Sequence, residues 1–174
     1  SACLVGSEMC IRDRTQTTLA IRGAPTRYYE SLSTYGRTFA RVVPTTAVEA
    51  LADTQEMSTL KVKRLYVASD GSEYGRTLAQ EVTSDAAPRI VVDQSPSGAE
   101  AVFYAGSSST GAISVLDQAA ANPRVKLFVP SALDDQSFVS QLSPAAQREL
   151  YVSSPGIMAS ALNPAARKFV SDFH

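Results

Sequence analysis

From Thr38 onward, short apolar runs alternate with stretches in which apolar residues recur every three or four positions. Phe39-Ala40-Arg41-Val42-Val43 reads as a strand closed by Pro44. Thr45 or Thr46 is placed to cap the next helix, with Glu49 near its third position as a capping-box partner. Val48, Leu51, Ala52 and Met57 share roughly one face of that helix, its expected buried stripe. Arg64-Leu65-Tyr66-Val67-Ala68 is a short β-rich run, so a buried strand, and Ser69-Asp70-Gly71-Ser72 after it is turn chemistry. A helix is expected from about Glu73 to Ser84, stacking Tyr74, Leu78 and Val82.

Three more strands follow at Arg89–Asp93, Ala101–Ala105 and Val125–Val129, and a further one at Leu150–Ser153. Helices are expected at 111–121, 136–142 and 145–148, and Asn163-Pro164 opens a last one with Pro164 at its first position. This alternation predicts an α/β fold, a three-layer sandwich with a mostly parallel sheet. One step resists it. Only Gln94 to Glu100 separates two strands, where parallel neighbours need a crossover of about a dozen residues. That pair is antiparallel, or not adjacent, or a helix is missing.

Composition narrows the function classes. The 174 residues are 44% hydrophobic and 19% charged, enough for a packed core. A net charge of −1 lacks the basic excess of a nucleic-acid binder. Apolar runs such as Leu65–Ala68 are too short to span a bilayer. The only histidine is the last residue, His174, so internal histidine catalysis is excluded within this chain.

Residues 1–14 follow neither period. Leu4–Asp13 resembles one reading frame of a transposon adapter used in sequencing libraries, so 1–14 are expected to be adapter-derived; the plainer alternative is a native arm. Both cysteines, Cys3 and Cys10, fall in that segment, so no disulfide, zinc site or cysteine nucleophile is built on them. The same reading expects a natural chain that extends further upstream, and downstream beyond the helix ending at Phe173-His174.

In parallel sheets ligands sit at the carboxyl ends of the strands. Those ends are Ser69–Ser72, Gly106–Ser109 and Pro130-Ser131, rich in glycine and small hydroxyls that donate, accept and let a ligand approach the backbone. Each loop alone is ordinary turn chemistry; three on one edge point to a polar ligand. Gly106-Ser-Ser-Ser-Thr-Gly111 has phosphate-loop glycine spacing, but Ala112 and Ile113 stand where Lys and Ser/Thr are required. Its helix N-terminus can still face an anion. Gly71 and Gly75 bracket Glu73, not a serine nucleophile. Asp134-Asp135 reads as a helix cap before a carboxylate pair, and Tyr74 as core.

Several of these segments together resemble a known family. Phe39-x-Arg41-Val42-Val43-Pro44, then Arg64-Leu-Tyr-Val-Ala-Ser-Asp70-Gly-Ser72-Glu-Tyr74-Gly75, Ala101-Val-Phe-Tyr-Ala-Gly106 and Lys126-Leu-Phe-Val-Pro130 are similar, in order and spacing, to the type I periplasmic solute-binding proteins, in their branched-chain amino-acid and amide branch. The resemblance implies two α/β lobes with ligand between them. Residues 15–37 would end the first lobe and its crossing, 38–156 would be the second lobe, and 157–174 would begin the return. Carried over position by position, Tyr74 would line the cleft as an aromatic wall, with Asp70 and Ser72 beside it and Ser107 and Ser108 from the next loop. Ser131 stands where amino-acid binders place an acid for the ligand's ammonium. That departure questions an α-amino-acid ligand unless Asp70, Asp134 or Asp135 substitutes. The short Gln94–Glu100 link departs too, since the family has a helix there.

The resemblance implies a non-enzymatic substrate-binding component of an ABC importer, closing two lobes on a small polar solute. It would carry no cofactor and no metal, bind no nucleic acid and work as a monomer. It would dock a membrane permease from the periplasm or the cell exterior, with a lipid anchor compatible with a missing N-terminus. The alternatives are a sensory or regulatory domain on the same fold and a flavodoxin-like enzyme domain.

Overall fold

The computed structural model of the chain describes residues 44–155 and 163–173. The expected strand at Phe39–Val43, residues 1–37 and the stretch 156–162 lie outside the described residues. Helix α1 (Thr46–Thr59) is followed by β1 (Arg64–Ser69), α2 (Glu73–Ala86), β2 (Val91–Asp93), β3 (Ala101–Ala105) and α3 (Ser109–Ala119). Next come β4 (Lys126–Val129), a 3₁₀ turn (Ser131–Leu133), α4 (Gln136–Gln141), α5 (Pro144–Arg148), β5 (Leu150–Val152) and α6 (Pro164–Phe173). The five strands are ordered β2-β1-β3-β4-β5, and every pairing is parallel.

Each face of the sheet carries its own core because strand side chains alternate. Along β3, Val102 and Tyr104 join the cluster beneath α3, α4 and α5, with Leu116, Phe138 and Ala146. Ala101, Phe103 and Ala105 join the opposite cluster beneath α1 and α2, with Met57, Leu78 and Val82. Covered on both sides, β3 is buried at all five positions, which is why it reads as a continuous apolar run. The result is the three-layer α/β sandwich.

The short link resolves by adjacency. β2 and β3 are not neighbours; they flank β1. Asp93 pairs beside Tyr66, and Ala101 beside Leu65, so Gln94–Glu100 returns about one residue along the strand and crosses about 10 Å sideways. No helix is needed. The link is tied to β1: Glu100 N–H donates to Arg64 O (2.9 Å), Lys63 N–H to Glu100 Oε2 (2.7 Å), and Arg64 pairs with Asp93 (2.9 Å). β2 is shorter than the expected run and keeps only three residues in the ladder.

α1 overturns the expected helix face. Val48 (54% exposed) and Leu51 (47%) point outward, Ala52 is exposed, and only Met57 of the expected stripe is buried. The inward face is instead Thr46, Glu49, Ala50, Asp53, Thr54 and Met57. The reason is position. A helix antiparallel to the strands brings its first two turns to their carboxyl ends, where loops offer hydrogen-bond donors, and only its last turns lie over apolar sheet. The capping box is corrected too: Thr45 caps by accepting from Val48 N–H (3.3 Å), while Glu49 reaches elsewhere.

Candidate functional site

Strand order reverses between β1 and β3, since the chain runs from β1 to one edge at β2 and then from β3 to the other at β5. In such sheets that reversal opens a crevice at the strands' carboxyl ends. The two loops that flank it are Ser69–Ser72 and Gly106–Ser108.

Asp70 ties these loops together. Its Oδ1 accepts from Ser72 N–H (2.9 Å) and Ser72 Oγ–H (2.6 Å), and its Oδ2 accepts from Ser107 N–H (3.0 Å). Burial pushes this carboxyl up, but bonds from Ser72, Ser107 and Ser108 outweigh it and the net shift is downward. Asp70 is therefore an anionic brace across the crevice. Ser72 also accepts from Gly75 N–H (2.9 Å) as the cap of α2, and Ser108 caps α3 through Gly111 N–H (3.3 Å). Gly75 is required by packing, because a Cβ there would lie 2.7 Å from the Ala105 carbonyl oxygen. The stretch from Asp70 to Gly75 thus acquires a cause residue by residue: brace, turn, cap and close approach.

Tyr74 and Ser131 meet a second carboxylate. Glu49 Oε1 accepts from Ser131 N–H (2.6 Å), and the Tyr74 hydroxyl donates to Glu49 Oε2 (3.5 Å). Tyr74 is half-buried against the α1–α2 side of the core. Burial first, and the Glu49 charge second, raise its phenol well above the ordinary value, so it stays a neutral donor. The structure brings the six expected residues to one edge in two groups: Asp70 with Ser72, Ser107 and Ser108, and Tyr74 with Ser131 through Glu49. Asp134 is an exposed loop residue, and Asp135 caps α4 by accepting from Ser137 N–H (2.8 Å).

Sequence reasoning missed Glu49 and Asp53. Asp53 lies one turn beyond Glu49 and accepts from Ser153 Oγ–H (2.6 Å) at the end of β5. Burial raises its carboxyl to about 7, against the Ser153 bond and with help from Glu49. The available signal was the i, i+4 run Ala50, Thr54 with Thr46 and Met57, a stripe of small and apolar residues that places Glu49 and Asp53 on the inward face. Beside them is an open groove of about 390 Å³, walled by Val48, Ala52 and Glu56 of α1 and by Ser131, Tyr151 and Ser153. Among the described residues no acid, histidine or cysteine group has the makings of a metal site, and no helix is long and apolar enough to cross a membrane.

No family model and no curated protein matches the sequence. Solved structures do match in fold. A branched-chain amino-acid ABC transporter protein from Rhodospirillum rubrum aligns at 17% identity and TM-score 0.59, over 76% of this chain and 43% of its own. An ABC transporter substrate-binding protein from Desulfitobacterium hafniense in complex with Leu aligns at 17% and 0.58, over 81% and 45%. A leucine-binding protein from Thermotoga maritima aligns at 16% and 0.60, over 79% and 45%. The fold is that of these type I periplasmic binding proteins, and this chain spans under half their length.

Proposed function

We propose that this chain contributes one lobe to the solute-binding component of an ABC importer, and that its role is capture rather than catalysis. The observation that carries the reading is the serine-lined, Asp70-braced crevice at the strand-order reversal, on a fold shared with substrate-binding proteins. A partner lobe closing over that edge would trap a solute against Tyr74, Ser107, Ser108 and Ser131. Bridging two lobes shifts an open–closed equilibrium, and a permease senses the closed form. In this reading residues 38–156 are the second lobe, 15–37 are the remnant of the first lobe and its crossing, 157–174 begin the return to the first lobe, and residues 1–14 are adapter-derived. The full protein works as a monomer outside the cytoplasmic membrane.

An amino acid or a small amide is the solute class. With serine at 131, Glu49 is the carboxylate that arrives there, from α1 rather than from the loop. The test is calorimetry on the two-lobed parent protein with leucine, alanine and acetamide, alongside small-angle scattering. Binding with a fall in radius of gyration is expected, with the isolated chain much weaker. No binding across the panel, or micromolar binding by the isolated chain, would refute lobe closure.

A further inference from the structure

The loops of the crevice spend their amides on the chain's own acids. Asp70, kept ionised, accepts from four donors: the N–H and the hydroxyl of Ser72, and the N–H groups of Ser107 and Ser108. A carboxylate offers about four acceptor sites, so this one is full. Asp70 also stands at the starts of α2 and α3, which Ser72 and Ser108 cap, and meets the positive ends of both helices as a resident anion. A solute carboxylate arriving there would face a fixed negative charge and amides already engaged. The Ser131 N–H is likewise taken, by Glu49 (2.6 Å). Arg76 on α2 is turned to the Gly71 carbonyl.

A solute ammonium is no better served. Asp70 has no acceptor site left, and Glu49, only 8% exposed, is held by Ser131 and Tyr74. A charge enclosed without a partner is costly. What this edge leaves open is hydroxyls. Those of Ser107 and Ser131 have no partner among the described residues. Ser108 Oγ accepts from Gly111 N–H and keeps its own hydrogen to give. A hydroxyl donates and accepts without charge, the same two capacities that a carboxamide carries on its NH2 and C=O.

We propose that the crevice selects an uncharged solute, a small carboxamide, over amino acids, amines and carboxylates, and holds its amide on the hydroxyls of Ser107, Ser108 and Ser131. This rests on reading the chain as one lobe of a solute-binding protein, and it narrows that reading's solute class from amino acid or amide to amide.

The test is calorimetry with small-angle scattering on the two-lobed parent, using four three-carbon probes: propionamide, alanine, n-propylammonium and propionate. Propionamide should bind at least tenfold tighter than each of the others, with a fall in radius of gyration. Ser107→Ala and Ser131→Ala should each weaken it severalfold, and no change in either would overturn the assignment to hydroxyls. Alanine or propylammonium binding as tightly would give the ammonium a carboxylate such as Asp134, and propionate binding as tightly would make Arg76 its anchor. Either result, with compaction, would overturn the amide preference and leave lobe closure standing. No binding and no compaction with any probe would overturn both. On the chain itself, propionate should leave the Ser107 and Ser108 amide resonances unmoved, whereas Asp70→Ala, which empties the cradle, should let propionate shift them saturably. A saturable shift in the parent chain would refute the resident anion.

Discussion

Gly75 offers the sharpest test of how the crevice is built. A Cβ placed there would lie 2.2 Å from Asp70 Oδ1, 2.7 Å from the Ala105 carbonyl oxygen and 3.0 Å from Ser69 Oγ. The carboxylate cannot retreat without releasing Ser72 and Ser107, and the carbonyl belongs to β3, where it also accepts from Asp70 N–H (3.1 Å). At an open helical position, glycine to alanine would gain about 1 kcal/mol. Here overpacking costs about 1–3 kcal/mol, and a displaced Asp70 forfeits charge-assisted bonds of about 1.5–3 kcal/mol each. Gly75→Ala should therefore destabilise by about 2–4 kcal/mol, a fall in Tm on the order of 10 °C. Urea unfolding should show a lower midpoint at unchanged slope. Adding Asp70→Ala to Gly75→Ala should cost less than the two singles together, because the clash has already released the brace. A Gly75→Ala protein as stable as the parent, or more so, would show that helix propensity wins and that the close approach does not constrain this turn.

Asp53 binds its proton more tightly folded than unfolded, since its folded value near 7 stands above the ordinary 3.8. Its contribution to stability is thus complete below about pH 4 and lost as pH rises through 7, at most about 4 kcal/mol in all. The difference between parent and Asp53→Asn urea midpoints should follow that course, and a pH-independent difference would refute it. Asp70→Asn removes the charge that joins the two loops, and should cost about 1–3 kcal/mol. It should also speed hydrogen exchange at the Ser107 amide more than at Val102 in mid-strand. On α1, Leu51→Ser should change stability by less than about 0.5 kcal/mol. Met57→Ala should cost about 2–5 kcal/mol, and the reverse ranking would restore the helix face that the apolar pattern alone suggests.

The layers are legible along the chain. Apolar runs at Leu65, Val102 and Leu127 had to become strands buried on both faces, and Leu78 and Val82 one turn apart had to face a sheet. So is the polar edge, because glycine and serine follow β1 and β3 where a parallel sheet leaves its carboxyl ends open. These are local signals, carried by period and turn chemistry. Features that depend on distant neighbours emerge only in three dimensions. Adjacency showed that seven residues suffice between β2 and β3, since β1 lies between them and the return is about one residue long. Packing reversed α1, whose hydrophobic positions predict one face and whose docking buries another. An acid is stable inside when donors 82 and 100 positions away in the chain come to meet it, as Ser131 and Ser153 do for Glu49 and Asp53. No pattern along one helix encodes donors that far off, so both carboxylates became visible only once the sheet had brought its carboxyl ends to α1.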